Sequence, residues 1–568
     1  MRDAAGLTDG DRHASLAATL RAIAPAVALS LVLLALRVIY LRWFCPYTLI
    51  EDEAQYWVWS RMLDWSYYTK GPGVAWAIAA GTRLLGDAEW AVRLPAAVAS
   101  AIGTIAVAGA AYDATRDRRA AWLGAVAFCV VPSYLSLGIM MTIDGPLIAC
   151  WALAAWAAVR AFVLGKSGWI VALGVAIGVG TLFKYTMLLF VPGLLVWLVA
   201  WRREVRPPLP HAVAGVVAAV VCTLPIVIWN HQHGWPTIAH LLGHLGVAGG
   251  DMEVKQGAGR GYRYNPMWTL AYIGMLVGLL GPVMLLGLSA GVRALRTRGG
   301  AGRQVWMPKS LFIALSAPVL LFYLIVSFVA EPEGNWSVAA GVTLCPLAGW
   351  TIAESTEPFR RSPRRRLALF AWSSAKIIGV LVGVLMLRLD LLAQVPGVSV
   401  IPVGRVTDAD VMGAHAARLM AEMREKSVLE PFMMSNHYGR AAQLWYYGDR
   451  SRPVYCAGNL TPGGRRTPWD FWPETNLRGM QDQLLGRPAV VVGLDDFHWK
   501  QVFERIERFG RLDGDHKRNR PAFLCDGFKG FPPGGLDDYP GGEGPPAAPL
   551  LPREVNAPAP QSSSGGAP

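Results

Sequence analysis

Residues 23–57 read IAPAVALSLVLLALRVIYLRWFCPYTLIEDEAQYW. The run from Ile23 to Leu41 is apolar apart from one arginine, and three adjacent carboxylates, Glu51, Asp52 and Glu53, follow a short loop later. A helix needs roughly 20 mostly apolar residues to cross a bilayer. The run has that length, exceeds a signal-peptide hydrophobic region, and is followed by no small-residue cleavage site. It reads as an uncleaved first span, with an acidic motif at its exit.

The rest of the chain agrees. Of 568 residues, 53% are hydrophobic and only 16% charged, against about 25% charged in soluble proteins. The 23 Trp and 17 Tyr suit the two bilayer interfaces. The net charge of +13 lies largely in short Lys/Arg clusters between apolar runs, which is a topology signal and argues against nucleic acid as a partner. The seven cysteines form no CxxC pair and no zinc spacing, so no cofactor is expected and no metal-ligand set is visible. Cys456 and Cys525 lie in the polar C-terminal part and are candidates for a disulfide.

Ten further spans are expected at 90–111, 120–138, 145–164, 168–183, 186–201, 211–229, 267–292, 310–330, 336–353 and 367–388, giving 11 to 13 transmembrane helices in all. The apolar stretch 74–86 is short and reads as interfacial or re-entrant. Alternate loops carry Arg116/Arg118/Arg119, Arg160/Lys166, Arg202/Arg203/Arg206, Arg293/Arg296/Arg298/Arg303/Lys309 and Arg360/Arg361/Arg364/Arg365/Arg366. The positive-inside rule puts these in the cytoplasm. Glu51, Asp52, Glu53, Asp144, Asp251, Glu253, Glu331 and Glu333 then gather on the outer face. Ionisable groups concentrated there mark the expected place of the chemistry. The organisation is a cytoplasmic segment 1–22, a membrane domain 23–393, an extracytoplasmic α/β domain 394–530 and a Pro/Gly/Ser-rich disordered tail 531–568. In the third of these, short apolar runs at 431–435, 453–456 and 488–493 alternate with amphipathic stretches at 408–426 and 438–447.

Each candidate has a structural alternative. Three consecutive carboxylates repel and need a use or a partner, but they also suit a helix N-terminus. Lys70, in Tyr67-Tyr68-Thr69-Lys70-Gly71-Pro72-Gly73, can receive a phosphate or snorkel beside aromatics. Asp144 in Thr142-Ile143-Asp144-Gly145-Pro146 opens a span and suits an N-cap. Lys184 sits between two apolar helices and needs an anion. His231 and His233, two apart, fit an aromatic/His belt better than a metal site, and Glu331-Pro332-Glu333-Gly334-Asn335-Trp336 is a tight outer turn.

Taken in order, these motifs together with Arg93-Leu94-Pro95, Thr142 to Leu147 and Lys184-Tyr185-Thr186 resemble the bacterial branch of the protein O-mannosyltransferase superfamily, glycosyltransferase family 39, which includes the aminoarabinose transferase acting on lipid A. The resemblance covers about residues 25 to 355. It implies a GT-C fold with its active site at the outer membrane face and a polyprenyl-phosphate-linked sugar donor. The acceptor would be a hydroxyl or phosphate on a glycolipid, lipopolysaccharide, polysaccharide or protein at the bacterial inner membrane. By motif position it implies Asp52 as catalytic base, Asp144 as a second acid and Lys70 as the donor-phosphate contact. Glu53 joins the catalytic group, and Arg93 and Lys184 join the donor-phosphate group. Tyr56, Tyr67, Tyr68, Tyr185, His231, Glu333 and Asn335 are the expected substrate-binding side chains. Some relatives carry an acid before the lysine, or His-Pro-Pro in that turn, where this chain has Thr69-Lys70-Gly71-Pro72. Direct displacement with one base predicts inversion at the anomeric carbon. The competing readings are a transporter or flippase of lipid-linked sugars, predicting paired charges within spans and repeat-related halves, and a surface-polysaccharide polymerase or ligase.

Overall fold

A computed structural model describes residues 15–244, 264–296, 302–355, 363–392, 403–516 and 520–537. Asp251, Glu253 and Arg360 lie outside these, as does the tail from 538 onward. The membrane part comprises α1 (Leu16–Ala22), α2 (Ala24–Trp43), α3 (Glu51–Arg61), α4 (Gly73–Leu85), α5 (Glu89–Thr115), α6 (Arg118–Cys129), α7 (Pro132–Leu137) and α8 (Asp144–Val163). It continues through α9 (Trp169–Phe183), α10 (Phe190–Ala200), α11 (Leu209–Gln232), α12 (Pro236–His244), α13 (Pro266–Arg296), α14 (Gly302–Val326), α15 (Val338–Ser355) and α16 (Pro363–Leu387).

Eight of the described helices are long and apolar enough to cross a membrane. Three of the eleven expected spans are realised differently. The stretch 120–138 breaks into α6 and α7 at Pro132, which has no N–H to continue the first helix. The stretches 168–183 and 186–201 become short helices because Lys184 adopts an extended backbone, φ −151° and ψ 131°, between α9 and a 3-10 turn at Tyr185–Leu189. The helix α4 is 13 residues long, too short to span, and packs between α3 and α5.

Helices α5, α8 and α15 form the buried centre, whereas α2, α11 and α16 turn most of their surface outward. The Ala- and Gly-rich sequences of α5 and α15 allow this close approach. The spans are less free of charge than their sequences suggest. At the end of α5, Asp113 is fully buried and accepts hydrogen bonds from Arg160 at 2.8 Å, Arg116 at 2.9 Å, Trp156 Nε1 at 2.9 Å and Thr19 Oγ1 at 2.8 Å. This knot ties α1 to α5 and α8, where an unpaired buried charge would be strongly destabilising.

The C-terminal domain runs α17 (Ala409–Lys426), β1 (Phe432–Ser435), α18 (Tyr438–Tyr447), β2 (Val454–Cys456), α19 (Leu477–Leu484), β3 (Ala489–Val492), β4 (Phe503–Gly510) and β5 (Ala522–Phe528). The sheet order is β2-β1-β3-β5-β4. Strand β1 is parallel to β2 and β3, and β5 is antiparallel to β3 and β4. The three expected strands are present, but β4 and β5 complete the sheet. The expected Cys456–Cys525 pairing is incorrect. Both thiols are free and buried, on β2 and β5 with two strands between them. Three strand spacings of about 4.8 Å exceed what a disulfide can bridge. The expected disordered tail also begins too early, since Phe531 and Leu536 are buried against the sheet.

The domain seats on α3 through α18. Gly439 allows this approach, because a Cβ there would lie 2.5 Å from Glu51 Cβ. Gln443 Nε2 donates to Leu49 O at 2.9 Å, and Arg520 Nη1 pairs with Glu51 at 2.9 Å.

Candidate active site

Successive residues of an α-helix point about 100° apart, so the three carboxylates opening α3 face three different surroundings. Glu51 turns to Arg520, with Arg440, also of the C-terminal domain, 3.8 Å away. Glu53 turns into the core, 0% exposed, where it accepts Arg93 Nε at 2.9 Å, Arg93 Nη2 at 2.7 Å, Met141 N at 2.7 Å and Ile50 N at 3.1 Å. Arg93 also donates to Tyr47 O and Thr48 O, each at 2.8 Å, and to Cys45 Sγ at 3.5 Å. Neither Glu53 nor Arg93 lines the cavity described below. The catalytic and phosphate-binding assignments expected of these two residues are therefore corrected: they are a buried two-pronged ion pair that fixes the chain entering α3.

Asp52 faces a cavity of about 400 Å³ between the membrane helices and the C-terminal domain. Its carboxylate is open to the cavity space, but the cavity lies deep in the protein. Desolvation raises its pKa to about 6; Lys70 opposes the rise, and Glu51, Glu333 and Glu53 add to it. The membrane side contributes Gln55, Tyr56, Thr69, Lys70, Lys184, Tyr185, Thr186 and Glu333. One wall is apolar, formed by Leu188, Leu189, Leu241, Phe322 and Val326.

Lys70 is placed by its turn. Gly71 and Gly73 lie against the end of α9, and a Cβ on Gly71 would come within 2.3 Å of Leu182 O. No salt bridge to Lys70 is formed among the described residues. Burial, followed by the nearby Lys184, lowers its pKa; Asp144, Glu333 and Asp52 resist that shift. Asp144, 1% exposed, does not line the cavity. One of its oxygens pairs with Lys184 Nζ at 2.7 Å and the other accepts Asn335 Nδ2 at 2.9 Å. Asp144 thus stands behind Lys184, and Asn335 braces it.

The expected substrate-binding residues divide in the same way. Tyr56, Tyr185 and Glu333 line the cavity, whereas Tyr67, Tyr68, His231 and Asn335 do not. Tyr67 stacks on Trp59 at 4.4 Å and donates to Trp59 O, so it braces α3. Tyr68 is wedged between His240 and Phe471. His231 is exposed at the end of α11 and is not among the residues that line the cavity. Several lining residues escaped the sequence reading: His240, Tyr323 and, from the C-terminal domain, Tyr438, Arg465, Arg466 and Thr467; Trp336, which closes the turn at 331–336, lines it too. The basic turn Gly463-Gly464-Arg465-Arg466 was a signal that could have drawn attention. The parallel strands explain its placement: the segments leaving the carboxyl ends of β1 and β2 carry Tyr438 and residues 465–468 into the cavity, where ligands of open α/β sheets are usually found.

Residues 69–229 match the family described as Dolichyl-phosphate-mannose-protein mannosyltransferase. The lipid A galacturonosyltransferase RgtD of Rhizobium johnstonii is 29% identical over 308 residues, 53% of this chain and 60% of that protein. The undecaprenyl phosphate-alpha-4-amino-4-deoxy-L-arabinose arabinosyl transferase of an Enterobacter species is 28% identical over 176 residues, covering 30% of this chain and 32% of that one. The chain thus aligns with less than two thirds of these relatives' lengths. In three dimensions, the crystal structure of ArnT from Cupriavidus metallidurans bound to undecaprenyl phosphate superposes with a TM-score of 0.57, at 18% identity, over 89% of this chain and 98% of that one. The apo form gives the same TM-score, at 16% identity. Together with the deep cavity beneath a sheet domain, these matches show that the chain is a multi-pass membrane protein that shares the fold of ArnT, a GT-C fold, and is similar over part of its sequence to the glycosyltransferases named above.

Proposed function

We propose that the chain is an inverting glycosyltransferase that moves a sugar from a polyprenyl-phosphate donor to a glycolipid of the lipid A class at the outer face of the inner membrane, with the sheet domain extracytoplasmic. The observation that carries this reading is the meeting of Asp52 and Lys70 in one deep cavity with an apolar wall. Such a wall suits a polyprenyl chain, and the cationic floor suits its phosphate. The relatives' names, which include undecaprenyl phosphate and lipid A, support the same substrates.

In the reaction, Asp52 accepts the proton of the acceptor hydroxyl. The freed oxygen forms a bond to the anomeric carbon as the bond from that carbon to the phosphate oxygen breaks. The bonding electrons leave on the polyprenyl phosphate, whose charge Lys70 and Lys184 stabilise. A base with a pKa near neutrality is well matched to that proton transfer. Asp144 is a positioning residue: it aims Lys184 and keeps its charge buried beside the site.

The test is transfer from an undecaprenyl-phosphate sugar by purified protein. Asp52→Asn should lose at least about a thousandfold in kcat, within the range of general-base catalysis, and still bind undecaprenyl phosphate. Lys70→Ala should weaken that binding. Full transfer by normally expressed Asp52→Asn would remove the base assignment.

A further inference from the structure

The cations lining the cavity come from two different bodies. Lys70 and Lys184 belong to the membrane domain, while Arg465 and Arg466 lie on the segment that follows β2. Lys184 is committed to Asp144 at 2.7 Å. Arg466 is exposed to the cavity mouth and forms no salt bridge among the described residues. The segment that carries it is fixed. Thr467 is buried, its backbone N–H and hydroxyl both donate to Asp470, and Trp469 beside it is fully buried with its indole on Val454 O at 2.9 Å. Thus two guanidiniums are presented from a rigid base rather than from a loose loop. Tyr438, from the segment after β1, lies within electrostatic reach of both Asp52 and Arg465.

We infer that Arg465 and Arg466 form an acceptor-recognition site, in which guanidinium groups of the outer domain hold an oxyanion, a phosphate or carboxylate, on the molecule that receives the sugar. This rests on the transferase reading above. In an in-line displacement the incoming hydroxyl approaches from the side away from the departing phosphate. The leaving phosphate has its own cations on the membrane domain, so a second cationic pair on the outer domain fits a second anion. Arginine forks match phosphate and carboxylate oxygens with paired hydrogen bonds. Their place on the outer domain also lets an acceptor be selected without touching the donor floor.

The test uses the full-length protein in nanodiscs and two binding measurements that need no turnover. One probe is undecaprenyl phosphate. The other is lipid A, compared in its bisphosphorylated form and after removal of both phosphates. The wild type should bind the phosphorylated glycolipid at least about tenfold better, the scale of one charge-assisted hydrogen-bonded contact. Arg465→Gln/Arg466→Gln should abolish that preference and leave undecaprenyl phosphate affinity within twofold. Arg466→Lys should retain part of the preference, a readout that a merely structural role would not produce. Equal wild-type binding of the two glycolipids overturns the inference. So does a double variant that keeps the preference, or one that loses undecaprenyl phosphate instead. The transferase reading fails separately, if the wild type neither binds undecaprenyl phosphate nor transfers from it.

Discussion

Replacing Glu53 with glutamine should destabilise the segment entering α3 before it touches the chemistry. In the native state the carboxylate is 0% exposed and receives four hydrogen bonds, two from the Arg93 guanidinium, itself 2% exposed. The amide keeps the shape but can accept at only one atom, so at least one Arg93 donor and one backbone N–H face an NH₂ group instead. Breaking one side of a buried pair costs about 3–5 kcal/mol, because the surviving charge is left without its counter-ion. That is close to the whole stability of many domains, and it falls on the segment that delivers Asp52. The assay is thermal unfolding in detergent, read beside transfer per unit of folded protein. Glu53→Gln should be strongly destabilised, with folded molecules retaining turnover within a few-fold. A paired Glu53→Met/Arg93→Met variant should not recover the loss, since it removes both charges but leaves Tyr47 O, Thr48 O, Ile50 N and Met141 N without partners. A Glu53→Gln protein as stable as wild type but inactive would refute the reasoning and return Glu53 to the catalytic group.

Other consequences are equally direct. Because the Asp52 pKa is raised to about 6 and the base works unprotonated, transfer should fall as pH drops through about 6 and level off above it; Asp52→Glu should shift this limb. Gly71→Ala would place a methyl 2.3 Å from Leu182 O, an overpacking that typically costs about 1–3 kcal/mol; melting temperature and donor KM should both worsen. Asp144→Asn leaves Lys184 without its counter-ion, so undecaprenyl phosphate binding should change while the acid limb near pH 6, set by Asp52, remains. Cys456→Ser should melt at the same temperature with and without reductant, as should the wild type, because no disulfide links β2 to β5.

Much of this was legible in the chain because bilayers impose a coarse rule on composition. The eight long spans, the short α4 and the first three strands all follow from run length and alternation. The misses share a physical origin. Pro132 interrupts a run whose hydropathy alone is continuous, so a hydropathy window merges what the backbone divides; the break at Lys184 was expected, and there the two flanking runs fall short of a full span. Glu53 and Arg93 look like site residues because charge near lipid usually signals function, yet here each satisfies the other. Arg465 and Arg466 stand far along the chain from Asp52, in a segment whose composition is merely turn-like, and only the parallel pairing of β1 with β2 delivers them to the cavity.

The opening turn of α3 also behaves as a reading frame. Its three acids answer to three separate clients, one residue apiece, and nothing in their chemistry distinguishes them except angular phase. Adding or deleting a single amino acid between Cys45 and Ile50, were α3 to rotate to absorb it, would move each acid to a neighbour's post, in one direction for an insertion and in the other for a deletion. Turned one way, the proton acceptor would enter the interior; turned the other way, the interior anchor would meet the substrate space. Length in that connector is therefore as constrained as any side chain in the cavity.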